Sequence, residues 1–216
     1  VAWIGSVPIM DRPVTRRAVR VTGTVQGVGF RPYVFGLATS LGLSGFVGND
    51  AGGVFIELQG PSTAIERFLS RLVAEAPPMA AVDAVTADEL PVLVGESRFD
   101  IVASAQTAGA TSIPPDTAVC ADCLRELRDP TDRRFGYAFI ACTNCGPRYT
   151  ITTGLPYDRV NTTMSAFELC PPCRREYEDP NSRRFHAQPT ACANCGPRLS
   201  MPVAEVIAGL DGDRPR

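Results

Sequence analysis

The chain has 216 residues, with 21 basic and 23 acidic side chains and a formal net charge of −2. That balance offers no strong electrostatic case for a nucleic-acid binder. Every basic residue is an arginine, which excludes Schiff-base lysine chemistry and the lysine-dependent phosphate loop of nucleotide hydrolases. No apolar run is long enough to span a membrane, and no charged leader with a cleavage motif opens the sequence. A cytoplasmic protein without a membrane partner is the expectation.

Residues 1–14 read as a tail and residues 15–104 as one α/β unit. Val19, Val21 and Gly23 alternate with Arg20, Thr22 and Thr24, the period-2 pattern of a strand. A glycine-rich turn, Val25–Phe30, follows. Arg31–Leu41 then has Val34, Leu37, Ala38 and Leu41 at helical spacing, Pro32 in its first turn and Gly42 as the stop. Ser44–Asn49 and Val54–Gln59 read as strands joined by Asp50-Ala51-Gly52-Gly53, a hairpin signal. Thr63–Ala76 is a second helix whose stripe is Ile65, Phe68, Leu69, Leu72 and Val73, ended by Pro77-Pro78. Val82–Thr86 and Phe99–Val102 are two further strands. The order β-α-β-β-α-β is that of an α+β, ferredoxin-like sandwich, with a short extra strand at one edge.

The turn Val25-Gln26-Gly27-Val28-Gly29-Phe30-Arg31 joins a strand to a helix N-terminus. Glycines there let successive backbone N–H groups converge, and the helix dipole adds positive potential, which together make an anion cradle. Arg31 can pair bidentately with a phosphate or carboxylate. Glycine is also the default for any tight turn, so the signal is weak by itself. The turn carries no Cys, His or Ser nucleophile and no acidic pair for a metal. It suits a phosphate ester or anhydride with a good leaving group, such as an acyl phosphate, where positioning and charge stabilisation suffice. Asn49 reads from spacing as a turn residue; its alternative role is to orient a water.

Residues 105–117 form an Ala/Gly/Thr/Ser/Pro linker. After it come all eight cysteines, as Cys120/Cys123, Cys142/Cys145, Cys170/Cys173 and Cys192/Cys195, spaced C-x2-C-x18-C-x2-C-x24-C-x2-C-x18-C-x2-C. The block divides into a first finger (118–148), a connector (149–167), a second finger (168–198) and a tail (199–216). The fingers repeat at a period of 50 and share Arg125/Arg175, Glu126/Glu176, the motifs Arg133-Arg134-Phe135 and Arg183-Arg184-Phe185, and the motifs Asn144–Arg148 and Asn194–Arg198. Four thiolates per repeat are what a closed structural zinc needs, so two Zn²⁺ are expected as folding energy rather than as catalysts. Pairing within each repeat is the simpler arrangement and interleaved pairing the alternative; Cys-x-x-Cys redox pairs are a third reading. His186 stands where the first repeat has Gly136 and reads as a structural residue rather than a ligand. The Arg133-Arg134 and Arg183-Arg184 pairs, if exposed, would make the block a binding module for nucleic acid or protein. Interleaved acids such as Asp129, Asp132, Glu176, Glu178 and Asp179 argue against nucleic acid.

Val25–Arg31, followed by Gly45-Phe46-Val47-Gly48-Asn49 and the Asp50–Gly53 hairpin, resembles acylphosphatase over about residues 15–104. The resemblance implies that the backbone of Gln26, Gly27, Val28, Gly29, Phe30 and Arg31 and the Arg31 side chain bind phosphate, and that Asn49 orients the attacking water. The same domain joined through Ser112–Asp116 to the eightfold cysteine pattern, with Leu155–Arg159 and Arg183–Ala187, is similar to the amino-terminal part of the HypF-type carbamoyltransferases of NiFe-hydrogenase maturation. That resemblance implies hydrolysis of carbamoyl phosphate to carbamate and phosphate. It further implies ATP use by a following YrdC-like domain and carbamoyl transfer to the C-terminal Cys of HypE by a last domain, neither of which this sequence carries. A free-standing acylphosphatase of broad range is the other reading.

Overall fold

The computed structural model describes residues 13–105 and 111–200; the outer tails and the middle of the linker lie outside that description. Five strands form one sheet in the order β4-β1-β3-β2-β5. They are β1 (Val14–Thr24), β2 (Ser44–Asp50), β3 (Gly53–Pro61), β4 (Ala81–Leu90) and β5 (Phe99–Ile101), and helices α1 (Phe30–Ser40) and α2 (Ser62–Ala74) complete the unit. β1 runs antiparallel to β3 and β4, β2 runs antiparallel to β3, and β5 runs parallel to β2 at the edge. The ferredoxin-like order with an extra edge strand is therefore as expected. β1 starts at Val14, one residue inside the segment read as tail.

One apolar face of the sheet and the inner faces of the helices make the core. Val19, Val21, Val47, Val54, Ile56 and Leu58 meet Val34, Leu37, Ile65, Phe68 and Leu72 there. Val73, read as part of the α2 stripe, is half exposed; it lies one residue past Leu72 and has rotated off the buried face. At the β2–β3 hairpin the Asp50 carboxylate accepts from the Gly52 N–H at 2.7 Å and from Arg20 at 2.5 and 2.6 Å.

The cysteine block is built on two short helices, α3 (Ala121–Arg128) and α4 (Pro171–Glu178). Each begins immediately after the first cysteine of its finger, Cys120 or Cys170, and holds the second on its buried side. Thiolates at a helix N-terminus lie in its favourable dipole field. The apolar cluster here is small, with Tyr137, Ile140, Met164 and Ala191 packed around Cys123, Cys142 and Cys145. Between the fingers the connector makes two 3₁₀ turns, Arg159–Asn161 and Thr163–Ala166. The Arg159 guanidinium ties it to the second finger by donating to Gln188 O, Thr190 O and, back within the chain, Phe167 O at 2.6–2.9 Å.

Candidate functional site and metal centres

The two metal centres form within repeats, not between them. Cys120, Cys123, Cys142 and Cys145 make one cluster, and Cys170, Cys173, Cys192 and Cys195 the other, with all four sulfurs of each within 4.8 Å of one another. Neighbouring sulfurs lie 3.7–3.8 Å apart. A disulfide needs about 2.0 Å. A tetrahedral zinc with Zn–S bonds of about 2.3 Å needs sulfurs about 3.8 Å apart. The donor set and its spacing therefore fit two four-thiolate zinc ions, each with its coordination filled by protein.

The paired arginines cross between the fingers. Arg133 donates to Cys170 and Cys173 Sγ at 3.5 and 3.0 Å and to Glu176 at 2.9 Å. Arg183 donates in return to Cys120 and Cys123 Sγ, at 3.9 and 3.6 Å, and to Glu126. Arg134 Nε donates to Ala191 O at 2.9 Å and Arg184 Nε to Ala141 O at 3.0 Å, the same contact in both directions. Burial works to raise the Glu126 carboxyl, but hydrogen bonds from Arg184 and Arg183 outweigh it and hold the group below its ordinary value. A zinc with four thiolates carries a net charge of −2, so each finger's arginines neutralise the other finger's centre. Charge compensation of zinc is the role expected of these arginines, but one of each pair is not on the surface: Arg134 is 1% and Arg184 4% exposed, while Arg133 and Arg183 keep about a third of their side chains exposed.

The phosphate-type loop sits as expected between β1 and α1, with Gly27 and Gly29 in left-handed conformation at φ 72° and 76°. Val28 and Phe30 send their side chains into the core, which leaves only their backbone to face the cradle. The Gln26 side chain is fully buried as a bridge: its amide donates to Asp50 O at 2.6 Å and Gly53 O at 3.0 Å, and its carbonyl accepts from Tyr157 N–H at 2.9 Å. Arg31 is buried, paired with Asp158 at 2.7 Å, and donates to Tyr157 O at 3.1 Å and Ser104 Oγ at 3.4 Å. Asn49, near the end of β2, lines the same cavity. Its Oδ1 is buried with no hydrogen-bond partner among the described residues, an arrangement that a water would satisfy.

What the sequence did not disclose is that the cysteine block forms the other half of this cavity. The walls opposite the loop are Thr143 and Arg148 of the first finger, Tyr157 of the connector and His186–Pro189 of the second finger. A Cβ at Gly27 would stand 3.5 Å from the Tyr157 ring, and one at Gly29 would stand 3.2 Å from Thr143 Cβ. Arg148 donates to Gly27 O, and further to Gly146 O and Thr143 O. Phe185 packs edge-on against Phe35 of α1, centroids 5.3 Å apart. Burial raises the Tyr157 phenol above its ordinary value, and its hydroxyl also lacks a partner among the described residues. His186 belongs to neither metal cluster.

A glycine turn, a buried arginine and an asparagine with an unpartnered Oδ1 thus line one cavity on a ferredoxin-like sandwich, beside a module with two four-cysteine clusters. Residues 17–101 match the acylphosphatase family, and residues 119–152 and 169–201 match the HypF finger. The acylphosphatase of Paraburkholderia xenovorans is 40% identical over 94 residues, 43% of this chain and 96% of that protein. The chain belongs to the acylphosphatase family, in the form that carries paired HypF fingers. It is 55% identical over 203 residues to the carbamoyltransferase HypF of Rhizobium leguminosarum bv. viciae, covering 94% of this chain and 26% of that one. A crystal structure of full-length HypF in the phosphate- and nucleotide-bound form superposes with a TM-score of 0.84 at 46% identity, over 87% of this chain and 25% of that one. The chain thus spans about a quarter of the length of these HypF relatives.

Proposed function

We propose that this chain hydrolyses an acyl phosphate at the Val25–Arg31 loop and that its substrate is carbamoyl phosphate. The observation that carries the reading is the convergence of the loop, buried Arg31 and the unpartnered Asn49 Oδ1 on one cavity. The amides of residues 26–31 and the Arg31 guanidinium hold the phosphoryl oxygens, and Asn49 Oδ1 accepts a hydrogen bond from the attacking water. Water oxygen bonds to phosphorus, the bond from phosphorus to the acyl oxygen breaks, and the electron pair leaves on the carbamate. A carboxylate-type leaving group is a weak base, so no general acid is required. Rate then comes from in-line positioning and from charge stabilisation by preorganised donors. The ion pair with Asp158 at 2.7 Å holds the arginine in place.

The similarity to HypF over nearly the whole chain supports carbamoyl phosphate over a general acyl phosphate. It also supports a place in a longer carbamoyltransferase that activates carbamate with ATP and hands the carbamoyl group to HypE. Neither of those later steps is assigned to residues 13–200. Eight cysteines without a disulfide suit a reducing compartment, and we place the protein in the cytoplasm. Among the described residues no helix is long and apolar enough to cross a membrane. The test is phosphate release from carbamoyl phosphate without added metal. Arg31→Ala and Asn49→Ala should each lower kcat/KM by about 10²-fold or more with zinc content and fold intact. Rates equal to wild type in Arg31→Ala would falsify the assignment.

A further inference from the structure

The two fingers make the same left-handed turn with different residues, Gly136 in the first and His186 in the second, and His186 lines the cavity. Gly136 N donates to Leu127 O at 2.9 Å, and His186 N makes the matching bond to Tyr177 O at 2.9 Å. Both residues are left-handed, at φ 66° for Gly136 and 53° for His186. Among the described residues His186 is the one non-glycine residue with positive φ. That conformation favours glycine, and histidine is, with asparagine and aspartate, among the other residues that adopt it most readily. The first finger makes the same turn with glycine, so the turn itself does not require an imidazole.

The ring has a fixed place. It packs against Tyr177 at 5.0 Å and Phe185 at 4.7 Å between centroids, and Phe185 is itself locked on Phe35. His186 lines the narrow cavity with the phosphate loop, Arg31 and Asn49, where the free space is about 30 Å³. With Arg31 and Gln188 it also lines an open depression of about 360 Å³, whose other walls include Ile101, Asp158, Val160 and Tyr177. Burial, with the nearby Arg31 charge, lowers the imidazole to about 4, so at neutral pH it is an uncharged wall and does not compete with Arg31 for an anion.

We propose that His186 sets the acyl-group size this site accepts: its ring is the partition between the cavity and the depression, and it confines the site to small acyl groups such as carbamoyl and acetyl. The proposal rests on the acyl-phosphatase reading above and deepens it, because the residue that selects the substrate belongs to the second zinc finger rather than to the acylphosphatase domain. Removing the ring joins the two spaces and admits a larger acyl group to the same phosphate cradle.

The experiment compares benzoyl phosphate with acetyl phosphate on the zinc-loaded full chain, as the ratio of their kcat/KM values. His186→Gly installs the residue that the first finger carries at the same turn. His186→Asn keeps a side chain that tolerates left-handed φ. We expect the ratio to rise by at least roughly tenfold in His186→Gly and by an intermediate amount in His186→Asn, with zinc content and thermal midpoint confirming that each variant is folded. A general loosening of the site would lower both substrates together and leave the ratio within twofold of wild type, which would overturn the proposal. Arg31→Ala run alongside separates the two layers. If it abolishes phosphate release while the ratio stays flat, hydrolysis stands and the role of His186 falls. If Arg31→Ala leaves release unchanged, the hydrolase reading fails and this proposal with it.

Discussion

The two halves of this molecule are held together by different physics. Residues 14–101 close on a core of seventeen buried apolar side chains drawn from the strands and both helices. The cysteine block gathers a cluster of only seven, three of them cysteines, and spends its arginines on thiolates and two glutamates. The first half is a sandwich that burial alone can stabilise. The second presents two four-cysteine clusters that fit zinc, joined by reciprocal contacts: Arg133 and Arg134 reach the second centre while Arg183 and Arg184 reach the first. The lesson is that the cysteine-rich half supplies walls to the cavity of the core-dependent half, so the finger module takes part in shaping the space beside the glycine turn.

That contrast can be broken most forcefully by removing the metal. A structural four-thiolate zinc contributes roughly 10–16 kcal/mol of apparent folding energy. Chelation of the whole chain should therefore unfold the fingers and leave the sheet, seen as early proteolytic cleavage after residue 118 with the β-signal in circular dichroism retained. Simultaneous loss of both signals would show that the halves are one folding unit. The reverse cut is Phe68→Ala, at a fully buried position of α2. It should cost about 3–5 kcal/mol in denaturant unfolding of the sandwich and release no zinc.

Crossed dependence gives a smaller but more specific mark. Arg134→Ala leaves Glu176 and the second centre short of their buried partner, at a cost of about 2–3 kcal/mol for a pair that is partly solvated. In the cadmium-substituted protein, ¹¹³Cd NMR should show the second finger's resonance moving in Arg134→Ala and the first finger's in Arg184→Ala. Movement at the mutated finger's own centre would contradict the crossed assignment.

The smallest effect is a pH dependence that links the halves. His186 faces Arg31 from α1, Asp158 from the connector and Tyr177 from α4, and burial and Arg31 lower it to about 4, below the ordinary value of about 6.5. The unfolded chain then binds the proton more readily. The stability tied to a neutral imidazole is present above the ordinary value and is lost as pH falls toward 4. Measured against His186→Asn to cancel acid effects on the thiolates, wild type should lose on the order of 1 kcal/mol more between pH 7 and 5. An unchanged difference would place the ring in water.

Local patterns made most of the α/β unit and all eight ligands legible. Alternation in Val19–Thr24, the stripe from Ile65 to Leu72 and the Asp50–Gly53 hairpin are short-range signals, and the 50-residue period is a property of spacing. Each depends on residues a few positions apart or on an exact repeat, and burial or metal geometry follows directly. Val73 slipped because one residue past a stripe turns about 100° around the helix. The burial of Arg134 and Arg184 was not legible because their partners lie some forty to sixty positions away, in the other repeat.

The site divides in the same way. The glycine turn and Arg31 at the start of α1 were legible as a strand–turn–helix, whereas spacing alone read Asn49 as a turn residue and only the resemblance gave it a place in the site. Tyr157, Asp158 and His186 were not legible, since nothing in a sequence states which face of one domain rests on another. The one local hint was the histidine at Gly136's place in the repeat. The amino-acid sequence thus determined by itself the sandwich, the cysteine ligands and the phosphate-type loop, because those follow from short-range geometry and coordination number. Tertiary structure alone decided that sulfurs pair within repeats, that arginines cross between them, and that the second finger closes the cavity over Arg31, because long-range packing selects among contacts that local chemistry leaves equal.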